Sequence, residues 1–340
     1  MKTSKVLVAI GVTGVLACAL GGAACAQEPA MHHSATSTRT MKEFIGRWDL
    51  TLKAPDREYP SWLEIQQNRG QINALFVSRW GNARALPKVE IDNTHITFVS
   101  PKEEEDRKDD MVFEGELKGD RLSGTTTGPD GAPWTWIGVR APALKRNENP
   151  KWGSPITLFN GQDLTGWKMS KPGPPDWTVK DGILVSPGNG PELISDAKFQ
   201  DFKLHLEFNC GTNANSGVYL RGRYEVQIET ESASEPASHH TGGVYGFLAP
   251  EPELERAPNV WQKFDITLIG RRVTVVQNGR TVIANREIPG ITGGALDSDE
   301  ALPGPIYLQG SEKGHVQFRN IVITPAREDI PAAKQSASGN

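Results

Sequence analysis

The sequence predicts an all-β protein: a small meander, barrel-like or curled, followed by a larger sandwich of two antiparallel sheets. Three observations lead there. Short runs of alternating apolar and polar residues recur along most of the chain, turn formers separate them, and no stretch of comparable length has helical periodicity. A chain of 340 residues suggests about two domains. Its 35 Gly and 24 Pro suit many turns, and 37% hydrophobic content is enough for packed cores. The net charge is −4 and no basic block stands out, which excludes nucleic acid as an expected partner. Three cysteines exclude a disulfide scaffold.

Residues 1–26 read as an export signal. Lys2 and Lys5 make a positive start, Val6 to Ala26 carries no charge, and Ala24-Cys25-Ala26 has the small side chains that a signal peptidase admits. Cleavage after Ala26 would place the mature chain in the periplasm or outside the cell. It would leave Cys210 as the last cysteine, without an intramolecular disulfide. Two other readings stand beside this one. The stretch is near the length of an uncleaved membrane anchor. Gly22-Ala23-Ala24-Cys25 is also a degenerate lipoprotein box, through which an acylated Cys25 would tie the chain to a membrane.

Residues 27–40 are small and polar and read as a disordered leader, with His32-His33 as part of an exposed tail. Residues 41–140 contain strand-like runs at 44–52, 74–77, 95–99, 111–117, 121–125 and 134–139, separated by turns such as Asn68-Arg69-Gly70 and Pro129-Asp130-Gly131. Gly46-x-Trp48 resembles the opening of lipocalin-like barrels, and the acidic run from Glu103 to Asp106 reads as a solvated loop. Residues 141–153, with two prolines and no periodicity, read as a linker.

The second unit, 154–325, carries about ten strand-like runs. Phe202, Leu204, Leu206 and Phe208 alternate onto one face, and Asn278-Gly279 is a two-residue hairpin turn. This many strands in one unit implies two packed antiparallel sheets. Residues 326–340 read as a flexible tail.

Within this unit the residues point to one polar surface. Tyr219 and Arg221 lie two apart on one strand, Glu225 and Gln227 two apart on the next, and a Gly222-Arg223 turn would bring the pairs together. Val218, Leu220, Val226 and Ile228 would take the core side. An Arg221–Glu225 ion pair fixing the hairpin is the bland alternative. His239 and His240 precede Thr241-Gly242-Gly243-Val244-Tyr245, where one histidine could act as a base, or bind a divalent cation with Glu229 or Glu231. His205 lies on a polar strand face, and Asp297, Asp299 and Glu300 form an acidic loop. Trp167, Trp177 and Cys210 read as core.

Residues 154–325 resemble the 3-keto-disaccharide hydrolase domain family. The resemblance is carried in order by Ile156-Thr157-Leu158-Phe159-Asn160-Gly161, Gly166-Trp167, Trp177-Thr178-Val179, Asn215-Ser216-Gly217-Val218-Tyr219, Tyr224-Glu225-Val226-Gln227, Gly243-Val244-Tyr245-Gly246, Trp261, Gly304-Pro305-Ile306-Tyr307-Leu308-Gln309-Gly310 and Val316-Gln317-Phe318. It implies a concanavalin A-like jelly roll and cleavage of sugars oxidised at C3. A ketone there acidifies the hydrogen on C2, so the site needs a base, a donor for the C3 oxygen and an acid for the leaving oxygen. The expected catalytic residues are Glu225 as base or metal ligand, Arg221 as enolate stabiliser, and His240 and Tyr245 as base or acid. Tyr219, Gln227, Asn215, Gln309 and Trp261 are expected to bind sugar. A carbohydrate is the expected partner, no cofactor is assigned, and a divalent cation stays open. The family commonly reads Leu-Gln-Gly-Asp-His-Gly near the last strand, where this chain has Leu308-Gln309-Gly310-Ser311-Glu312-Lys313-Gly314 and a later His315. The alternative is a non-catalytic carbohydrate-binding or envelope interaction protein.

Overall fold

Period-two alternation becomes strand almost throughout. The computed structural model describes residues 41–327 apart from 106, 172–176, 187, 231–234, 256 and 312. The expected export signal and leader, most of the expected tail and Glu231 lie outside the described residues.

The first sheet runs β1 (Gly46–Lys53), β2 (Glu58–Asn68), β3 (Gln71–Val77), β4 (Arg84–Ala85), β5 (Val89–Asp92), β6 (His95–Ser100), β7 (Met111–Lys118), β8 (Arg121–Thr127) and β9 (Pro133–Arg140). Its spatial order is β4-β3-β2-β1-β9-β8-β7-β6-β5, antiparallel throughout. The two outer strands do not pair, so the sheet is a curled half-barrel and not the closed barrel of a lipocalin. Its hollow holds Trp48, Leu63, Phe76, Phe98, Phe113 and Trp136. Phe98 and Phe113 stack at 4.6 Å. Burial of each such side chain contributes about 1.5–3 kcal/mol.

Strand β2 is missing from the runs read in the sequence, because Pro60 breaks its pattern. The ladder shows how Pro60 is tolerated. It pairs with Thr51 of β1, while β3 joins β2 only from Trp62 onward, so one side of Pro60 faces no partner strand.

The sandwich begins with β10 (Ile156–Thr157), β11 (Trp167–Met169), β12 (Thr178–Lys180), β13 (Ile183–Ser186), β14 (Leu193–Phe199) and β15 (Phe202–Cys210). It continues with β16 (Asn215–Leu220), β17 (Tyr224–Glu229), β18 (Gln262–Ile269), β19 (Arg272–Gln277), β20 (Arg280–Glu287), β21 (Gly304–Leu308) and β22 (Val316–Pro325). One sheet has the order β12-β13-β22-β15-β18-β19-β20, with β10 on β22; the other is β11-β14-β21-β16-β17. Phe202, Leu204, Leu206 and Phe208 are at most 1% exposed, facing Val218, Leu220, Val226 and Ile228 in one core. Asn278 and Gly279 both take positive φ, as a tight two-residue hairpin between Gln277 and Arg280 requires. Strand β14 was not legible, since Asp196 and Lys198 interrupt its alternation and its pairing with β21 shifts register between Ile194 and Lys198.

The half-barrel and the sandwich share a core. Trp62 and Val77 of the first sheet pack into the sandwich cluster, with Trp62 edge-on to Phe247 at 5.9 Å. Ser298 Oγ donates to Leu50 O at 2.6 Å, adding a polar tie.

Candidate active site

The turn between β16 and β17 decides which side chains meet. It holds three residues, Arg221-Gly222-Arg223, and the register pairs Leu220 with Tyr224, Tyr219 with Glu225 and Gly217 with Gln227. Paired residues share a face, so Tyr219, Glu225 and Gln227 point away from the core, together with Asn215. Strand β21 adds Tyr307 and the residue just beyond it adds Gln309: Tyr219 pairs with Tyr307, and Gln309 N donates to Gly217 O at 2.9 Å.

On this face the Tyr219 hydroxyl sits 2.9 Å from Glu225 Oε2 and 2.9 Å from Gly293 O. The Gln227 amide bridges outward from the carboxylate, one end 3.2 Å from Glu225 Oε1 and the other 3.3 Å from Asn215 Oδ1. Tyr307 stacks on Tyr219 at 4.2 Å. Glu225, Gln227, Tyr219 and Tyr307 are buried, whereas Asn215, Gln309 and Tyr245 are half-buried. The Gln309 Oε1 atom is itself buried without a hydrogen-bond partner. Burial and the neighbouring Glu225 carboxylate push the Tyr219 phenol well above its ordinary range, so it stays a neutral donor.

Gly217 makes room for the carboxylate. A Cβ there would lie 2.3 Å from Glu225 Oε1 and 2.7 Å from its Cγ. Gly217→Ala is therefore expected to displace Glu225 and cost about 1–3 kcal/mol of stability, read by thermal unfolding. Turnover should fall more than that loss explains; unchanged turnover would mean that Glu225 does not need this position.

The segment 240–248 borders β17. Gly242 N donates to Gln227 O and Tyr245 N to Glu225 O, and Val244 bridges Val226 on the core side. Tyr245 therefore falls on the Glu225 side. His239, not His240, stacks on its ring, at 4.2 Å. His239 Nδ1 is 3.1 Å from Glu235 Oε2, while its buried Nε2 has no hydrogen-bond partner. His240 lies between the Glu253 carboxylate at 3.0 Å and Glu235 O at 3.1 Å, so it is committed to its own loop.

Arg221 does not join this face. At positive φ in the turn, it is fully buried and its Nη2 donates to Tyr224 Oη at 3.0 Å and Gly270 O at 2.7 Å. The expectation of Arg221 beside Glu225 assumed that the strand continued to residue 221; the chain turns one residue earlier. Trp261 precedes β18 in the other sheet and packs under Arg319 at 4.0 Å. His205 pairs with Asp265 at 2.7 Å on that sheet as well. His315 lies against Gly211, whose carbonyl accepts from Thr230 Oγ1 at 2.6 Å just past the Glu229 end of β17. Asp297 pairs with Arg223 at 2.6 Å. Trp167, Trp177 and Cys210 are core residues, and burial pushes the Cys210 thiol up to about 12. Among the described residues, no group of three or more His, Cys, Asp and Glu side chains is placed to hold a metal ion.

Arg221 belongs to a second buried network. Glu300 accepts from Tyr224 Oη at 2.5 Å and from Arg271 Nη1 at 2.8 Å. Asp49 of β1 reaches Glu300 from the first sheet, and its Oδ1 is buried without a partner. Desolvation first, then the Glu300 charge, raise the Asp49 carboxyl to about 8, so it is protonated at neutral pH.

The first sheet also roofs the Glu225 face. Thr292 Oγ1 accepts from Glu225 N at 3.1 Å, and the next residue packs so tightly under the β3–β4 loop that a Cβ on Gly293 would sit 2.2 Å from Gly81 O. Sequence reasoning missed Tyr307, Gly217, Thr292 and this roof. Tyr307 was within reach, since it alternates with Gln309. The roof joins residues about 210 positions apart, as in Gly81 and Gly293, and leaves no local signal.

A profile of the 3-keto-alpha-glucoside-1,2-lyase-like domain matches residues 154–324. The chain belongs to this family. Its lyase-like domain comprises the two sandwich sheets, and the half-barrel precedes the matched segment. A 3-keto-disaccharide hydrolase from Bacteroides thetaiotaomicron is 31% identical over 75 residues, covering 19% of this chain. That match spans about a quarter of the relative's length, 26%. Two crystal structures from Parabacteroides distasonis, both provisionally named glycosyl hydrolases, are also similar. One is 28% identical with a TM-score of 0.43, covering 53% of this chain and 92% of its own. The other is 21% identical with a TM-score of 0.42, covering 52% and 94%.

Proposed function

We propose that the lyase-like domain cleaves glycosides oxidised at C3, with Glu225 as the base. The observation that carries this reading is a buried carboxylate held by Tyr219 and Gln227, with half-buried amides beside it, in a domain whose family is named for 1,2-lyase chemistry. Glu225 takes the C2 proton and the electron pair passes to the C3 oxygen, where the Asn215 and Gln309 amides supply donors. The enolate then expels the C1 oxygen, which takes a proton from Tyr245, and a C1=C2 enone remains. Water adds at C1 and returns its proton to Tyr245, while C2 recovers a proton from Glu225. The net change is hydrolysis. Arg221 has no part in this scheme, because its guanidinium is spent on Tyr224 and Gly270. Export of the mature chain belongs to the same proposal, resting on the leader read in residues 1–26.

The test is turnover of 3-keto-disaccharides and 3-keto-glucosides in deuterated water, with and without chelator. Substrate deuterated at C2 is expected to be cleaved more slowly, and released 3-keto-sugar to carry solvent deuterium at C2 to the extent that Glu225 exchanges its proton before returning it, faster than the free product exchanges. Cleavage that retains the original C2 hydrogen and is not slowed when C2 carries deuterium would exclude elimination. Binding without cleavage in both arms would favour a carbohydrate-binding protein.

A further inference from the structure

A cavity of about 510 Å³ opens between loops of the half-barrel and loops of the sandwich. That volume falls in the range of small-molecule sites, roughly 300–1,000 Å³. The half-barrel lines it with Arg57, Tyr59 and Trp80, and the sandwich with Glu192, Leu296 and Tyr307. Tyr307 is the ring stacked on Tyr219, whose hydroxyl meets Glu225. The cavity therefore adjoins the Glu225 face and is separated from it by one pair of stacked rings.

Its first-sheet wall has the composition of a saccharide platform. Trp80 is 45% exposed and meets Tyr59 edge-on at 6.0 Å. The Arg57 guanidinium lies 4.4 Å from the Tyr59 centroid and 5.2 Å from that of Trp80. Flat apolar faces receive the C–H side of a pyranose ring, and a fixed guanidinium donates to neighbouring hydroxyls. None of these three residues belongs to the segment 154–324 that the family profile matches, so this wall is an addition made by the half-barrel.

We propose that the half-barrel supplies the subsite for the leaving half of the substrate: a second sugar ring seated on Trp80 and hydrogen-bonded to Arg57. This rests on the reading of Glu225 as the centre at which the oxidised ring is held. The oxidised ring occupies the Glu225 face, and the ring beyond the scissile bond extends past Tyr307 into the cavity. The half-barrel thereby selects disaccharides over glycosides with small aglycones.

Binding is measured by calorimetry on the full mature chain carrying Glu225→Gln, so that turnover does not consume the ligand. The probes are a 3-keto-disaccharide and methyl 3-keto-glucoside. Trp80→Ala and Arg57→Ala, each added separately and each checked for an unchanged unfolding temperature, should weaken the disaccharide three- to ten-fold. The methyl glycoside should stay within two-fold. Equal weakening of both probes, no change in either, or no disaccharide binding at all would overturn the proposal. If the unsubstituted chain shows the selective binding but never cleaves, the catalytic reading fails and the subsite stands.

Discussion

Glu225→Gln should lower kcat for a 3-keto-disaccharide by about 10²–10⁴, the range that one positioned base contributes. Glutamine keeps the shape of the side chain and still accepts from the Tyr219 hydroxyl, now 2.9 Å from Glu225 Oε2, so the fold should be retained. KM should change far less than kcat, because the proton transfer belongs to the transition state. Glu225→Asp makes the sharper comparison. It retains the carboxylate but draws it back by one methylene from the space over Gly217, and intermediate turnover is expected. If Glu225→Gln keeps kcat within ten-fold of the unsubstituted chain, Glu225 is not the base.

Asp49→Asn is expected to stabilise the protein, increasingly so as pH rises from about 4 to about 8. The Asp49 carboxyl is raised from 3.8 to about 8, with desolvation the largest cause and Glu300 the next. The unfolded chain therefore ionises first. Between those values folding requires proton uptake, and the stability present at low pH is lost as pH climbs toward the folded value. Each pH unit in that window costs up to about 1.4 kcal/mol, so a few kcal/mol accumulate by neutral to mildly basic pH. Asparagine never ionises, and its amide can donate to Glu300 as the protonated acid does. Denaturant unfolding of both proteins between pH 5 and 9 should show curves that diverge with pH in favour of Asn. Parallel curves would mean that Asp49 stays ionised in the fold. The same experiment probes the join between half-barrel and sandwich, since Asp49 lies in β1 and Glu300 in the loop before β21.

How much of the site was readable follows from where each residue stands. Alternation placed Tyr219 on one strand and Glu225 with Gln227 on the next, but the three-residue turn puts them on one face by pairing Tyr219 with Glu225; a two-residue turn would have set Glu225 opposite Leu220. Arg221 was misplaced by that same turn: one residue more in the loop removed it from the strand and sent its guanidinium to Tyr224 and Gly270. The choice between His239 and His240 could not be made locally, because adjacent side chains diverge and the edge pairing of 240–245 with β17 selects which one reaches Tyr245. In the fold, the longer strands with clean alternation were found, the short β4, β5, β10 and β11 were not, and β2 and β14 were lost where Pro60 and a register shift hide the period.

Alternating hydrophobicity and turn chemistry were enough to establish an all-β chain and the hairpin at Asn278-Gly279, while the order of short motifs carried the resemblance of residues 154–325 to their family. These are properties of neighbours a few positions apart, where backbone geometry alone dictates which way a side chain points. The roof over Glu225, the Asp49–Glu300 contact and the cavity beside Tyr307 come from surfaces more than 200 residues apart along the chain, as the pair Gly81 and Gly293 shows. Such contacts depend on how curled sheets dock, and docking is set by the summed shape of many side chains, which no single stretch of sequence encodes.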